Sequence, residues 1–336
     1  MDETIIETRN ATGVITLNRP KVLNALSAQM IADITAALRS WREDDSITQV
    51  IIESSSEKFC AGGDVRAARK QLIDGNIEAV ENYFDAEYEM DYLIATYPKP
   101  VISLMSGVIM GGGLGLTAHG SHRVVTRDAF AAMPEMKIGY FVDVGMTHLL
   151  QRLPGHPSQA LAAFISLTGY RLSADDMMDT GLATHLVGSA EELGELRQAL
   201  IKGADPSGND TDFPFAEPGE SELAQHYGVI EQTFTGSWPQ IRGNVEEVGG
   251  SLKELVDKHC EGASPSSLVA TAELILANDP KKVDLRGALD NEEKLQRVIL
   301  REPDFVEGVR AVLVDKDNAP KFAPQPDPGH YRAVLG

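Results

Sequence analysis

The chain has 336 residues and carries 50 Asp and Glu against 30 Lys and Arg, a formal net charge of −20. That length suits about two domains, or one large domain with an appendage, and 43% hydrophobic residues are enough to bury a sizeable core. So acidic a chain is a poor partner for nucleic acid or an anionic membrane, and its two cysteines, Cys60 and Cys260, exclude a disulfide framework or a Cys-rich zinc module.

Residues 4–8 and 14–17 read as two strands around a turn at 10–13. A helix follows over 27–41, with Met30, Ile31, Ile34, Ala37, Leu38 and Trp41 on one side. Residues 49–53 form a β-branched strand, 59–64 a Gly-containing loop, and 65–72 and 77–95 helices. The uncharged stretch 101–118 reaches membrane-spanning length but breaks at Gly111-Gly112-Gly113, so it reads as strand (101–104), loop and buried helix (114–119). A strand at 122–126 and helices near 147–153 and 158–167 come next. Ser173 with Asp176 and Ser189 with Glu192 have capping-box spacing. Recurring strands with helices between them give an α/β class. Residues 205–220 read as a Pro/Gly/Asp-rich loop, 221–314 as almost wholly helical, with Ser264-Pro265 a helix start, and 319–329 as an extended tail. Three consecutive segments are expected: a core over 1–188, an acidic insertion with helices over 189–250, and a helical region with its tail over 251–336. The N-terminal MDETIIETRN shows neither a secretory nor a transit pattern, which suits a cytoplasmic protein or a trimmed mitochondrial one.

Two glycine loops are candidates for chemistry. Phe59-Cys60-Ala61-Gly62-Gly63-Asp64 and Ser106-Gly107-Val108-Ile109-Met110-Gly111-Gly112-Gly113 each follow a strand and precede a helix. Such loops present backbone N–H donors, and two aimed at one carbonyl oxygen make an oxyanion hole; the plainer alternative is close packing. Gly113-Leu114-Gly115-Leu116-Thr117-Ala118 also satisfies the dinucleotide fingerprint, with Glu135 at the expected distance. However, Pro134 argues against the continuing strand that a dinucleotide fold needs there. Glu135 and Asp143 lie in a mostly apolar segment, where burial would raise a carboxyl's proton affinity; capping or pairing with Lys137 is the alternative. Cys60 reads as a small buried residue rather than a nucleophile, and the histidines offer no metal-binding spacing.

Several motifs together resemble the crotonase (enoyl-CoA hydratase/isomerase) superfamily, and within it the 3-hydroxyisobutyryl-CoA hydrolases. They are Leu17-Asn18-Arg19-Pro20-Lys21, Leu23-Asn24-Ala25-Leu26, the 59–64 loop, Met110-Gly111-Gly112-Gly113, Met133-Pro134-Glu135, Thr168-Gly169 and Ala183-Thr184-His185. Late in the chain, Asp304 to Ala311 and Asp315-Lys316-Asp317 look like the hydrolases' C-terminal signature. The resemblance implies a spiral of ββα units with a helical C-terminal region, an acyl-CoA substrate, no separate cofactor and no metal, and a homo-oligomer, trimer or hexamer. It implies an oxyanion hole from Gly63 and Gly112, catalytic roles for Glu135 and Asp143, contact of Glu87 with the substrate's distal hydroxyl, and CoA contacts at Lys21, Ala25, Ala61, Asp64 and Val65. Hydratases carry a Glu two residues beyond the triple glycine, where this chain has Gly115. That departure disfavours two-Glu hydration, leaving one-acid isomerisation by Glu135 or idle acyl-CoA binding as rivals to hydrolysis. The hydrolases' Phe-Pro-Asp-Val-Gly-Gly is here Phe141-Val142-Asp143-Val144-Gly145-Met146, a change in the acyl pocket's wall. The acid excess concentrates in 72–91 and 189–261 and reads as solvated, Glu87 excepted, whereas Lys21 and Arg66–Lys70 form a basic patch suited to CoA.

Overall fold

In the computed structural model, which describes residues 2–205 and 215–335, the first two strands pair as an antiparallel hairpin, β1 (Thr4–Arg9) and β2 (Thr12–Leu17). The turn is tighter than expected, because Asn10 adopts a φ of 53°, a left-handed conformation that Asn tolerates. Then come β3 (Gln49–Ser54), β4 (Val101–Met105), β5 (Val108–Met110), β6 (His122–Thr126), β7 (Phe130–Ala132), β8 (Leu172–Ser173) and β9 (His185–Val187). Among the described residues, one sheet has the order β1-β2-β3-β4-β6-β9, parallel except for its hairpin, and a smaller one has the order β5-β7-β8. The parallel strands bury near-continuous apolar runs, and Ile51, Ile102, Leu104, Val124 and Val187 form a core cluster with Leu196 and Leu200. The strands β5, β7, β8 and β9, only two or three residues long, are too short to show a period, and none was expected.

Helix α1 (Ala28–Arg42) is capped by the Ser27 hydroxyl and buries the six residues expected on its inner side. Trp41 packs on Gly13, where a Cβ would lie 2.5 Å from the indole. α2 (Val65–Ile73), α3 (Ile77–Ala95) and α4 (Gly112–Ala118) follow. The uncharged stretch is thus divided into β4, β5 and α4, and no described helix is long and apolar enough to cross a membrane. The Ser173–Asp176 capping box is complete, with Asp176 also accepting from Ser221 at 2.7 Å. At Ser189 only half forms: the hydroxyl caps Glu192, but the Glu192 carboxylate bonds the Gly188 N–H at 2.7 Å.

The chain divides into two compact units, one of Met1–Gly63, Ala86–Ala131 and Leu172–Glu222, the other of Asp64–Asp85, Ala132–Arg171 and Leu223–Gly336. Each is assembled from three separate stretches, whereas consecutive segments were expected. Both sheets belong to the first unit. The second is helical, and includes Gln159–Thr168, Trp238–Val248, Gly250–Cys260, Pro265–Ala277, Leu285–Ile299 and Asp304–Val309. Ser264 caps Pro265–Ala277 as expected. The expected tail over 319–329 holds no helix or strand before Gly329, and beyond it comes a further helix, Gly329–Leu335, which was not expected. Much of the expected 205–220 loop lies outside the described residues.

Because the Ser173 hydroxyl satisfies the otherwise orphaned Asp176 N–H, Ser173→Ala is predicted to cost about 1 kcal/mol of stability, read as a lower urea midpoint with unchanged slope.

Candidate functional site

The two glycine loops are joined backbone to backbone in the first unit. The Cys60 N–H donates to the Val108 carbonyl at 2.9 Å, the Met110 N–H donates to the Cys60 carbonyl at 3.0 Å, and the Phe59 N–H donates to Ser106. Asn24, fully buried, anchors the first loop from below: its amide donates to the Phe59 carbonyl at 2.8 Å and to Ser54, and its oxygen accepts from the Arg19 N–H. The Ala61 N–H bonds the Leu23 carbonyl and the Leu26 N–H bonds that of Gly62. Gly62 has a φ of +108°, accessible essentially to glycine alone, and a Cβ there would lie 3.3 Å from the Met110 carbonyl.

This pairing brings Gly63, Gly112 and Glu87 together. A Cβ on Gly112 would stand 3.3 Å from the Gly63 nitrogen and 2.0 Å from a Glu87 carboxylate oxygen. Gly112 opens α4, so its N–H has no acceptor within the helix. The expected pair of N–H donors therefore lies with the buried Glu87 carboxylate against it. Gly113 packs on Cys60, where a Cβ would lie 2.9 Å from the Cys60 carbonyl, so the fingerprint glycine serves close packing. Cys60 is buried, and burial pushes its thiol up to about 12, which makes it a poor nucleophile at neutral pH. Gly115 is buried inside α4, and no carboxylate stands at that position. Asp91, one helical turn beyond Glu87 on α3, is fully buried too. Sequence reading missed it among neighbouring acids, although its i+4 spacing from Glu87 was a usable signal.

Among the residues expected to contact CoA, Lys21 lies exposed in a 3-10 turn, Pro20–Val22, and Ala25 and Ala61 are half-buried in the first unit. In the second unit, Asp64 caps α2 by accepting from the Ala67 N–H, its own N–H donates to the Tyr83 hydroxyl at 3.0 Å, and Val65 is the first residue of α2. The basic patch is partly committed: Arg69 donates to the Val306 carbonyl at 2.8 Å and Arg66 to that of Leu313. The acids of 72–91 are less solvated than expected. Asp85 pairs with Arg297 and Glu81 with Arg301, both at 2.6 Å.

The other two carboxylates belong to the second unit. The strand ends at Ala132, before Pro134, and Glu135 starts a 3-10 turn, Glu135–Ile138. The C-terminal signature braces that turn: a Cβ on Gly139 would lie 2.1 Å from the Asp304 carbonyl, and one on Gly308 would lie 2.3 Å from the Ile138 carbonyl carbon. Ser264 donates its N–H to the Met136 carbonyl and its hydroxyl to Asp304. Tyr140 stacks on Phe84 and Phe141 at centroid distances of 4.9 and 4.5 Å, with Phe305 tilted against it. Both Glu135 and Asp143 are buried, as expected of a desolvated pair. Next to Asp143 lies a carboxylate that the sequence did not reveal, Glu292 on Leu285–Ile299, which accepts the Gly145 N–H. Burial first, and the Asp143 charge second, hold the Glu292 carboxyl well above the usual carboxylate range.

A raised folded-state value means that Glu292 keeps its proton in the fold at pH values where the unfolded chain has lost it. Its contribution to stability is present below 4.5 and lost as pH rises through the raised value. Glu292→Gln, neutral throughout, is therefore predicted to gain Tm relative to the parent as pH rises from about 5 to about 8, measured by calorimetry.

Residues 12–327 match the family Enoyl-CoA hydratase/isomerase. The chain is 38% identical to the 3-hydroxyisobutyryl-CoA hydrolase, mitochondrial, of Danio rerio, covering 96% of this chain and 85% of that one. It is 36% identical to the protein of the same name from Homo sapiens, over 96% and 84%, and 34% identical to 3-hydroxyisobutyryl-CoA hydrolase 1 of Arabidopsis thaliana, over 96% and 87%. Among solved structures, an enoyl-CoA hydratase from Rhodobacter sphaeroides 2.4.1 matches with a TM-score of 0.89 and 34% identity over 99% of this chain and 97% of that one. A carnitinyl-CoA dehydratase from Mycobacterium thermoresistibile matches with a TM-score of 0.90 and 32% identity over 100% and 97%. With paired glycine loops, a buried carboxylate against them and a match over nearly its whole length, the chain belongs to the enoyl-CoA hydratase/isomerase (crotonase) family.

Proposed function

We propose that this protein is an acyl-CoA thioester hydrolase acting on a short branched 3-hydroxyacyl-CoA, namely 3-hydroxyisobutyryl-CoA, as in valine degradation. The observation that carries this reading is the packing of Glu87 on Gly112: it sets a buried carboxylate acceptor beside the two N–H donors, suited to a substrate with a hydroxyl near its thioester carbonyl. The shared name of the curated relatives supports it over nearly the full chain.

In this reading, the Gly63 and Gly112 N–H groups donate to the thioester oxygen as it becomes an oxyanion, each such donor lowering the barrier by about 3–4 kcal/mol. Glu135 serves in one of two ways. It attacks the carbonyl carbon, expelling CoA thiolate and leaving a mixed anhydride that water hydrolyses, or it takes a proton from water as that water attacks. Either route yields free CoA and the hydroxy acid. Asp143 orients substrate or water, and Glu87 accepts from the distal hydroxyl. Lys21, Ala25, Ala61, Asp64 and Val65 contact the CoA portion. A thiolate leaves readily, so the reaction draws on no metal or separate cofactor. The protein acts as a homo-oligomer, in the cytoplasm or in the mitochondrion.

A second reading, hydration or isomerisation of an enoyl-CoA by Glu135 alone, draws on the likeness to the enoyl-CoA hydratase of Rhodobacter sphaeroides 2.4.1. Against it, Gly115 leaves one of the two positions used in hydration without a carboxylate.

Free-thiol release from 3-hydroxyisobutyryl-CoA decides between them. The parent enzyme is expected to release thiol, and Glu135→Gln to lower kcat by about 10²–10⁴-fold. Gly112→Ala, whose methyl would collide with Glu87, should cost at least about 100-fold. Robust hydration of crotonyl-CoA without thiol release would establish the second reading instead.

A further inference from the structure

Asp143 is followed by two residues in the left-handed region, Val144 at a φ of 52° and Gly145 at 73°. Glycine occupies that region freely. A β-branched valine stays there only where its surroundings dictate it.

Here they do. Both Glu292 carboxylate oxygens accept the Gly145 N–H, at 3.0 and 3.2 Å, and one lies 3.4 Å from the Thr147 hydroxyl. Thr147 accepts from the Asn278 amide at 2.9 Å, and the Asn278 oxygen accepts from Asn291, the residue before Glu292, also at 2.9 Å. On the other side of the turn, the Met146 N–H closes onto the Asp143 carbonyl at 3.0 Å, and the Val142 N–H bonds Thr271. Glu292, Thr147, Asn278 and Asn291 are all buried. Capping the four-residue helix Met146–Leu149 needs no such group, since a hydroxyl on the turn itself would cap it without burying a charge. The charged groups acting on Glu292 are Asp143 and Glu293, both acids, so its burial is offset only by the hydrogen bonds from the Gly145 N–H and the Thr147 hydroxyl.

Resting on the hydrolase reading of Asp143, we propose that Glu292 is a positioning residue for catalysis: it holds the Asp143–Gly145 turn in its left-handed form and so aims the Asp143 carboxylate. The role is carried out through Asp143, which makes it separable from a purely structural one. It predicts that loss of Glu292 matters to turnover only while Asp143 is present.

The test is a double-mutant cycle on thiol release from 3-hydroxyisobutyryl-CoA, using the full chain with Glu292→Leu, which removes the acceptor for the Gly145 N–H, Asp143→Asn and both. Glu292→Leu is expected to lower kcat about tenfold with KM changed less than about twofold, and to cost less than about twofold in the Asp143→Asn background. Equal losses in both backgrounds, or no loss in the parent, would overturn the proposal. If Glu292→Leu does not fold, Thr147→Val serves in the same cycle, with about threefold expected in the parent and equal losses again overturning it. Absence of thiol release by the parent enzyme removes the hydrolase reading and this inference with it, an outcome distinct from an active parent indifferent to Glu292.

Discussion

Backbone pairing between Cys60 and the 108–110 strand is the contact on which the first unit's chemistry depends. Two hydrogen bonds, Cys60 to Val108 and Met110 to Cys60, place one glycine loop against the other. The approach is close because the residues at the crossing have no side chains: Gly62 faces the Met110 carbonyl, Gly112 faces Glu87, and Gly113 faces Cys60. Asn24 holds the arrangement by donating to the carbonyl of the buried Phe59 and to that of Lys58, which also accepts from the Ser54 and Ser56 hydroxyls. In the proposed function, the oxyanion donors come from backbone geometry, and backbone held by several bonds reorganises little during a reaction.

Burial of acids is the second theme. A chain with a charge of −20 could keep every carboxylate in water, yet Glu87, Asp91, Glu135, Asp143 and Glu292 are all buried. Burying a carboxylate is costly, and the cost is tolerated where the group does something that water would defeat. In the second unit, burial and then the Asp143 charge raise Glu292's cost of ionisation, and Glu292 recovers part of it through the Gly145 N–H. The C-terminal signature has a comparable supporting part, since Gly139 and Gly308 let the Asp304–Val309 helix and the Glu135 turn meet at backbone contact distance.

Much of this was legible residue by residue. The inward face of α1, the extent of α3, the caps at Ser173 and Ser264, and the break of 101–118 at its glycines follow from local rules of period, capping and turn formation. The two glycine loops were legible as segments between a strand and a helix, and their place in a family came from the motifs in and around them. What escaped was either too short or too distant. β5 and β7–β9 have too few residues to display alternation, and α3's acids looked like a solvated face although Asp85 and Glu81 pair with Arg297 and Arg301. Glu292 sits in an ordinary charged helical run, and nothing local distinguishes it from Glu293.

The sequence by itself determined the α/β class, the glycine loops, the placement of Glu135 after a strand-ending proline, and membership in the crotonase family. These depend on local backbone preference and on motifs read in line. Only the tertiary structure decided that Glu87 lies against Gly112 and that Glu292 holds the turn after Asp143. Each joins residues far apart in the chain, 25 and up to 147 positions respectively. Contacts over such separations are set by how the elements pack, and neither hydrophobic period nor residue spacing encodes them.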